Sequence, residues 1–108
     1  MVSEPLTLHI TWHFAPEDVA TFYEVLRPLH ENLVKEKECL YFNVYEIAQQ
    51  PGIVRLVEIW DCDMKWMAEV QSKKDYYAPF FETTRKIALE PQKIEVMKGV
   101  GEFRFMRS

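Results

Sequence analysis

From Leu6 to Phe14 the chain alternates without a break. Leu6, Leu8, Ile10, Trp12 and Phe14 share one face, and Thr7, His9, Thr11 and His13 share the other. Period two over that length predicts a strand. Ala15-Pro16-Glu17-Asp18 reads as a turn into a helix, with its acids where the helix dipole favours them. The period then changes: Val19, Phe22, Leu26, Leu29 and Leu33 recur at threes and fours as one helical stripe. Pro28 lies inside that helix and is expected to kink it. The charged run Glu36-Lys37-Glu38 ends it.

Two β-prone runs follow, about Cys39 to Ile47 and Ile53 to Trp60, joined by a Gln-Gln-Pro-Gly turn. The second stops at Trp60 and passes straight into a short helical pattern, about Met64 to Gln71. A third helix begins in Tyr76-Tyr77-Ala78-Pro79-Phe80-Phe81 and runs towards Leu89, with Pro91 as its stop. A last strand covers about Lys93 to Val100. The tail from Glu102 to Ser108 is expected to pair with a neighbouring subunit.

Strand, helix, strand, strand, helices, strand is the βαββαβ pattern of an α+β, ferredoxin-like fold. It predicts a four-stranded antiparallel sheet with helices on one face and the other face bare. The bare face is partly apolar, so a second copy is expected to cover it. The product is a homodimer whose two sheets face each other.

The 108 residues make one domain, with no repeats, linkers or low-complexity segments. Hydrophobic residues make up 48% and aromatics 14%, leaving apolar surface for a pocket or an interface. A formal charge of -4 with scattered lysines and arginines argues against nucleic-acid binding. No run reaches the length of a membrane span. Cys39 and Cys62 form no disulfide framework, and no leader pattern is visible, so a reduced, cytoplasmic protein is expected. With three glycines and no Cys-x-x-Cys or His-Glu-x-x-His, the chain carries none of the local motifs that hold common cofactors.

Several residues carry candidate chemistry. Glu58 shares a strand face with Leu56 and Trp60. Covered by helices it becomes a buried carboxylate with a raised pKa, able to draw a proton from a substrate. The competing reading is a salt bridge to Arg55, Arg85 or Arg27. Tyr41, Asn43 and Tyr45 share one face of the second strand. They bond to each other or to an opposing subunit, or they hold a developing oxyanion. Trp60 and Trp66 are core packing, pocket walls, or both. His9 and His13 point the same way from one strand. Such a pair binds a metal only if a third ligand arrives, and is otherwise an interface pair. His30 is either a helix-surface residue or, if turned inward, a catalytic one. Tyr76, Tyr77, Phe80 and Phe81 read as core or as a lid on an apolar cavity.

With this element order, the strand Cys39-Leu40-Tyr41-Phe42-Asn43-Val44-Tyr45, the Glu58-Ile59-Trp60-Asp61 strand end and Leu26-Arg27-Pro28-Leu29 in the first helix, the chain resembles the antibiotic biosynthesis monooxygenase family. The resemblance runs from about Leu6 to Val100 and implies a dimeric α/β barrel with one pocket per monomer between sheet and helices. It implies oxygenation of a small apolar, aromatic or electron-rich metabolite by molecular oxygen with no metal and no flavin, so no cofactor. The substrate anion supplies the electron. Carried over residue by residue, Trp60 matches the family tryptophan ending strand three, Tyr45 a strand-two tyrosine, and Trp66 an aromatic of the short helix. Two positions depart: a family asparagine is Leu56 here, and a family histidine is Glu69. An identical proton relay therefore does not carry over.

Together these readings give Glu58, Tyr45, Asn43 and His30 as catalytic candidates. Trp12, Leu56, Trp60, Trp66, Phe80 and Phe81 are the candidates for the cavity wall. The alternative is a barrel protein that binds a small molecule without turnover, or that isomerises or decarboxylates it. The residues of the haem-degrading branch are not recognisable, so haem is not expected.

Overall fold

The computed structural model describes residues 4–105 and 107. Four strands, β1 (Leu6–His13), β2 (Cys39–Glu46), β3 (Ile53–Trp60) and β4 (Lys93–Met97), form one antiparallel sheet in the order β2-β3-β1-β4. Three helices, α1 (Val19–Leu33), α2 (Met64–Glu69) and α3 (Ala78–Ile87), complete the α+β ferredoxin-like pattern.

Most of the predicted bounds hold, and the differences have physical reasons. α1 passes through Pro28, and the Asn32 side chain donates to the Pro28 carbonyl at 3.0 Å. The second helical pattern stops at Glu69, and Gln71–Lys73 tightens into a 3-10 turn. Asp63 starts α2, its Oδ1 accepting the Trp66 N–H at 2.8 Å as an N-cap. Asp75–Tyr77 forms another 3-10 turn, and α3 proper begins at Ala78, with Pro79 in its first turn, where no N–H is needed. β4 ends at Met97 because β1 offers it partners only from Thr7 to Thr11. Beyond it Gly101–Phe103 is a 3-10 turn, with Phe103 and Phe105 exposed. Met106 and Ser108 of the tail expected to pair with a neighbour lie outside the described residues.

The hairpin between β2 and β3 closes at Gly52, whose φ is 97°. A Cβ there would stand 2.2 Å from the Phe14 carbonyl oxygen, and the Gly52 carbonyl accepts the Phe14 N–H at 2.8 Å. Only glycine allows both the positive φ and the close approach.

Strand alternation decides the two faces. Leu6, Leu8, Trp12 and Phe14 of the β1 run join Val54, Leu56, Glu58 and Trp60 of β3 under the helices. From above, α1 supplies Phe22, Leu26, Leu29 and Leu33, and α3 supplies Phe80. Trp12 is the hub, with ring centroids 5.3 Å from Phe22 and 5.6 Å, edge-on, from Phe80. Such aromatic contacts add to the stabilisation from area burial. On the opposite face Tyr41, Asn43 and Tyr45 are exposed, as the bare sheet face requires. Among the described residues no helix is long and apolar enough to cross a membrane.

Candidate functional site

Glu58 sits at the middle of the covered face. In the sheet register it lies between Leu8 of β1 and Phe42 of β2, two apolar neighbours. It is 6% exposed. Trp60, two residues on and therefore on the same face, donates its indole N–H to Glu58 Oε1 at 2.9 Å. Burial raises the carboxyl to about 7, and the indole hydrogen bond pulls the other way without cancelling it.

The salt-bridge alternative for Glu58 is not what the structure holds. Arg55 belongs to the other sheet face and donates its Nε to Thr11 Oγ1 at 3.0 Å. Arg85 lies over the Phe81 ring, 5.6 Å from its centroid. Among the described residues no cation pairs with Glu58. A buried carboxyl whose hydrogen bond comes from a neutral donor stays protonated more readily than one beside a guanidinium.

A second polar group lies under the connection from α2 to α3. Gln71 is completely buried, and its Nε2 donates to the hydroxyls of Tyr76 at 2.7 Å and Tyr77 at 3.0 Å. The Glu58 charge reaches this cluster: burial raises the Tyr77 hydroxyl, the Gln71 hydrogen bond pulls it part of the way back, and Glu58 then raises it again. Cys39, paired in register with Trp60, is raised by burial and then by the same Glu58 charge. Cys62 is pushed up to about 11, chiefly by burial. Both thiols therefore keep their protons at neutral pH and are poor nucleophiles. Lys74, in the same connection, pairs with Glu36 just beyond α1 and ties the cover down.

The structure brings some of the predicted site residues together and separates others. Glu58, Trp60 and Leu56 share one face of β3; Trp60 and Leu56 are core residues, at 0% and 2% exposed. Phe80 is equally buried against Trp12. Trp12 and Phe81 line a hollow of about 460 Å³ along α3, together with Thr84, Arg85 and the turn through Pro91. Neither Glu58 nor Trp60 lines it. Trp66 is half-buried on α2, against the edge of the core.

Tyr45 and Asn43 do not join Glu58. Phe42 and Val44 take the β2 positions beside Glu58 and Leu56, so the odd-numbered residues point to the bare face. There Tyr41 and Tyr45 share a hydrogen bond between their hydroxyls, 2.6 Å apart. His30 is exposed and meets Phe42 edge-on at 5.4 Å, at the rim of the covered face and not inside it. His9 and His13 lie on the bare face of β1, and His13 approaches Glu90 at 3.7 Å. Among the described residues no three His, Cys, Asp or Glu side chains gather into a metal-binding group.

Gln71 is the residue that sequence reasoning missed. It was absorbed into the end of a helix, and only its five- and six-residue spacing to two tyrosines hinted at a shared cluster.

The family model described as Antibiotic biosynthesis monooxygenase matches residues 5–74, which include Glu58, Trp60 and Gln71. A Pestalotiopsis microspora protein named "Putative monooxygenase" is 34% identical over 91 residues, covering 84% of this chain and 76% of the relative. A "Putative antibiotic biosynthesis monooxygenase" of Nitrosomonas europaea superposes with a TM-score of 0.80 at 18% identity, covering 93% of this chain and 94% of its own. A conserved protein of Methanosarcina mazei Go1 gives 0.79 at 20% identity, over 88% and 92%. At such identities the solved structures speak for the fold alone.

Proposed function

Because the chain belongs to the antibiotic biosynthesis monooxygenase family, we propose that it oxygenates a small, electron-rich aromatic metabolite with dioxygen, using no metal and no flavin. The observation that carries the reading is Glu58, a buried carboxyl with a neutral hydrogen-bond donor and no cationic partner among the described residues. With a pKa of about 7 it is half ionised near neutral pH, which suits a general base.

In this reading Glu58 takes a proton from an acidified methylene of the substrate. The resulting carbanion passes one electron to dioxygen. The radical pair joins into a carbon–oxygen bond, the peroxide anion takes back the proton held by Glu58, and loss of the second methylene proton with cleavage of the O–O bond gives the carbonyl and water. One oxygen atom enters the product and the other leaves as water. Both reducing electrons come from the substrate, so the balance calls for no external reductant. The protein binds the ring, draws the proton and keeps bulk water from the pair. Trp60 and Leu56 shape the floor, Trp12, Phe80 and Phe81 the α3 side, and Trp66 the α2 side. The connection 70–77, built of short 3-10 turns and held by Lys74 and Glu36, is the cover that moves to admit substrate.

Tyr45, Asn43 and the two histidines of β1 belong in this proposal to the bare face, which a second copy of the chain covers. His30 serves the rim. Oxygen-electrode measurements with a dihydroxyanthrone and metal-stripped protein test the reading. Dioxygen uptake matched one-to-one by carbonyl product, and abolished in Glu58→Gln, is expected. Binding without uptake sinks it in favour of a binding protein.

A further inference from the structure

Gln71 is 0% exposed, yet it is satisfied at one end only. Its Nε2 serves two tyrosine hydroxyls, while its Oε1 has no hydrogen-bond partner among the described residues. Turned over, the amide would accept both hydroxyl protons at Oε1 and leave its Nε2 hydrogens without an acceptor, so one end is unsatisfied either way; in the structure that end is the acceptor Oε1. A buried amide oxygen without a donor is costly, and native interiors keep few such groups. The 3-10 turn Gln71–Lys73 does not require it either, because among the described residues the side chain bonds no backbone group.

The position makes the oxygen useful. Tyr76 and Tyr77 fix the amide from one side and so fix where Oε1 points. Tyr76 and Tyr77 pack against the core that holds Leu56 and Trp60, the neighbours of Glu58 on the buried face of β3, and the Glu58 charge acts on Tyr77. The orphaned acceptor and the buried carboxyl therefore belong to one cluster under one cover, with opposite needs: Glu58 receives a proton, and Gln71 requires a hydrogen that stays on its owner.

We infer that Gln71 is a specificity residue of this site, its Oε1 accepting a hydrogen bond from a ring hydroxyl or ring N–H of the ligand. The inference rests on the reading that the ligand lies beside Glu58. It narrows the ligand class to hydroxyarenes and aminoarenes and works against their O-methyl ethers, which have no hydrogen to give and press a methyl group on a bare oxygen.

Titration calorimetry of the full chain with α-naphthol and with its methyl ether tests this. The wild-type protein is expected to prefer the naphthol by at least about tenfold. Gln71→Met is expected to erase the preference while binding the ether within about twofold of wild type. A residue that merely holds the turn together would weaken both probes alike. Equal wild-type affinities overturn the inference with no variant needed, so a misfolded Gln71→Met does not shelter it. A preference that survives in Gln71→Met overturns it, as does binding of neither probe up to the solubility limit. A preference without dioxygen uptake leaves Gln71 in its role and removes the oxygenase reading. Uptake without a preference does the reverse.

Discussion

The indole N–H of Trp60 meets Glu58 Oε1 at 2.9 Å, one step along the same face of β3, with both side chains out of solvent. The two groups act on one proton in opposite directions. Burial favours the neutral acid, and the indole favours the anion. Burial is the larger effect and leaves the carboxyl at about 7. A base placed there is strong enough to draw an acidified proton and still half ionised at neutral pH.

The rate of dioxygen uptake is expected to rise with pH through a midpoint near 7, as Glu58 loses its proton. Glu58→Gln keeps the shape of the side chain and the Trp60 contact but cannot accept a proton. Turnover is expected to fall by about 100-fold or more and the rising limb to vanish. Initial rates from pH 5 to 9 on both proteins check this. A rate that remains pH-dependent in Glu58→Gln assigns the limb elsewhere.

The same carboxyl ties stability to pH. Its folded pKa of about 7 lies above its ordinary 4.5, so between those values the folded state binds the extra proton. The contribution of Glu58 to stability is therefore fully present below about 4.5 and is lost as pH rises through about 7. The loss is of the order of 3 kcal/mol, from about 1.4 kcal/mol for each tenfold change in proton affinity. Urea unfolding at pH 5 and pH 8 is expected to show wild type losing ground against Glu58→Gln by roughly that amount. A constant difference between the two proteins would mean that the carboxyl titrates normally.

Removing the indole donor isolates its share. Trp60→Phe is expected to move the rate midpoint above 7, because the one group that favours the anion is gone. It also thins a fully buried site, at a cost of about 1–3 kcal/mol in unfolding free energy. The pH–rate profile separates the two effects by sign: a loosened core that admits water pulls the midpoint down, while the lost hydrogen bond pushes it up. A midpoint that fails to rise assigns the indole to packing.

Much of this site was legible in the chain, for reasons specific to each residue. β3 occurs over Ile53–Trp60 as predicted, since strict alternation there coincides with burial on one side. Burial of Glu58 followed from sharing a face with Leu56 and Trp60. The fate of Tyr45 and Asn43 did not follow. Alternation shows that they share a face with Tyr41, but which face depends on register, and the pairing of Phe42 with Glu58 is a property of the sheet, not of either strand alone. The Glu58 salt bridge failed for a similar reason: Arg55 is three residues away, an odd offset that sends it to the opposite face. Gln71 was invisible because its burial depends on the cover folding over the sheet. No local period reports that.

The bare face makes its own demand. β1 offers Thr7, His9, Thr11 and His13 there, β3 offers Arg55, Val57 and Ile59, and β2 adds the exposed rings of Tyr41 and Tyr45. Two phenols joined at 2.6 Å and left facing water gain little from that bond, whereas under a second sheet they become part of a satisfied interface. Val57 stands at the centre, paired with His9 on one side and Asn43 on the other. Val57→Asp would bury a carboxylate at the centre of a two-copy interface, yet in a single copy it faces water and the helix-side core is untouched. Light scattering at about 10 µM is expected to give a dimer for wild type and to shift dissociation by about 100-fold or more in Val57→Asp, with unchanged far-UV circular dichroism. A wild-type monomer at that concentration would refute the facing-sheet dimer. A Val57→Asp protein that still dimerises normally would move the interface to another surface, of which the exposed Ile94 and Val96 of β4 are the next apolar stretch.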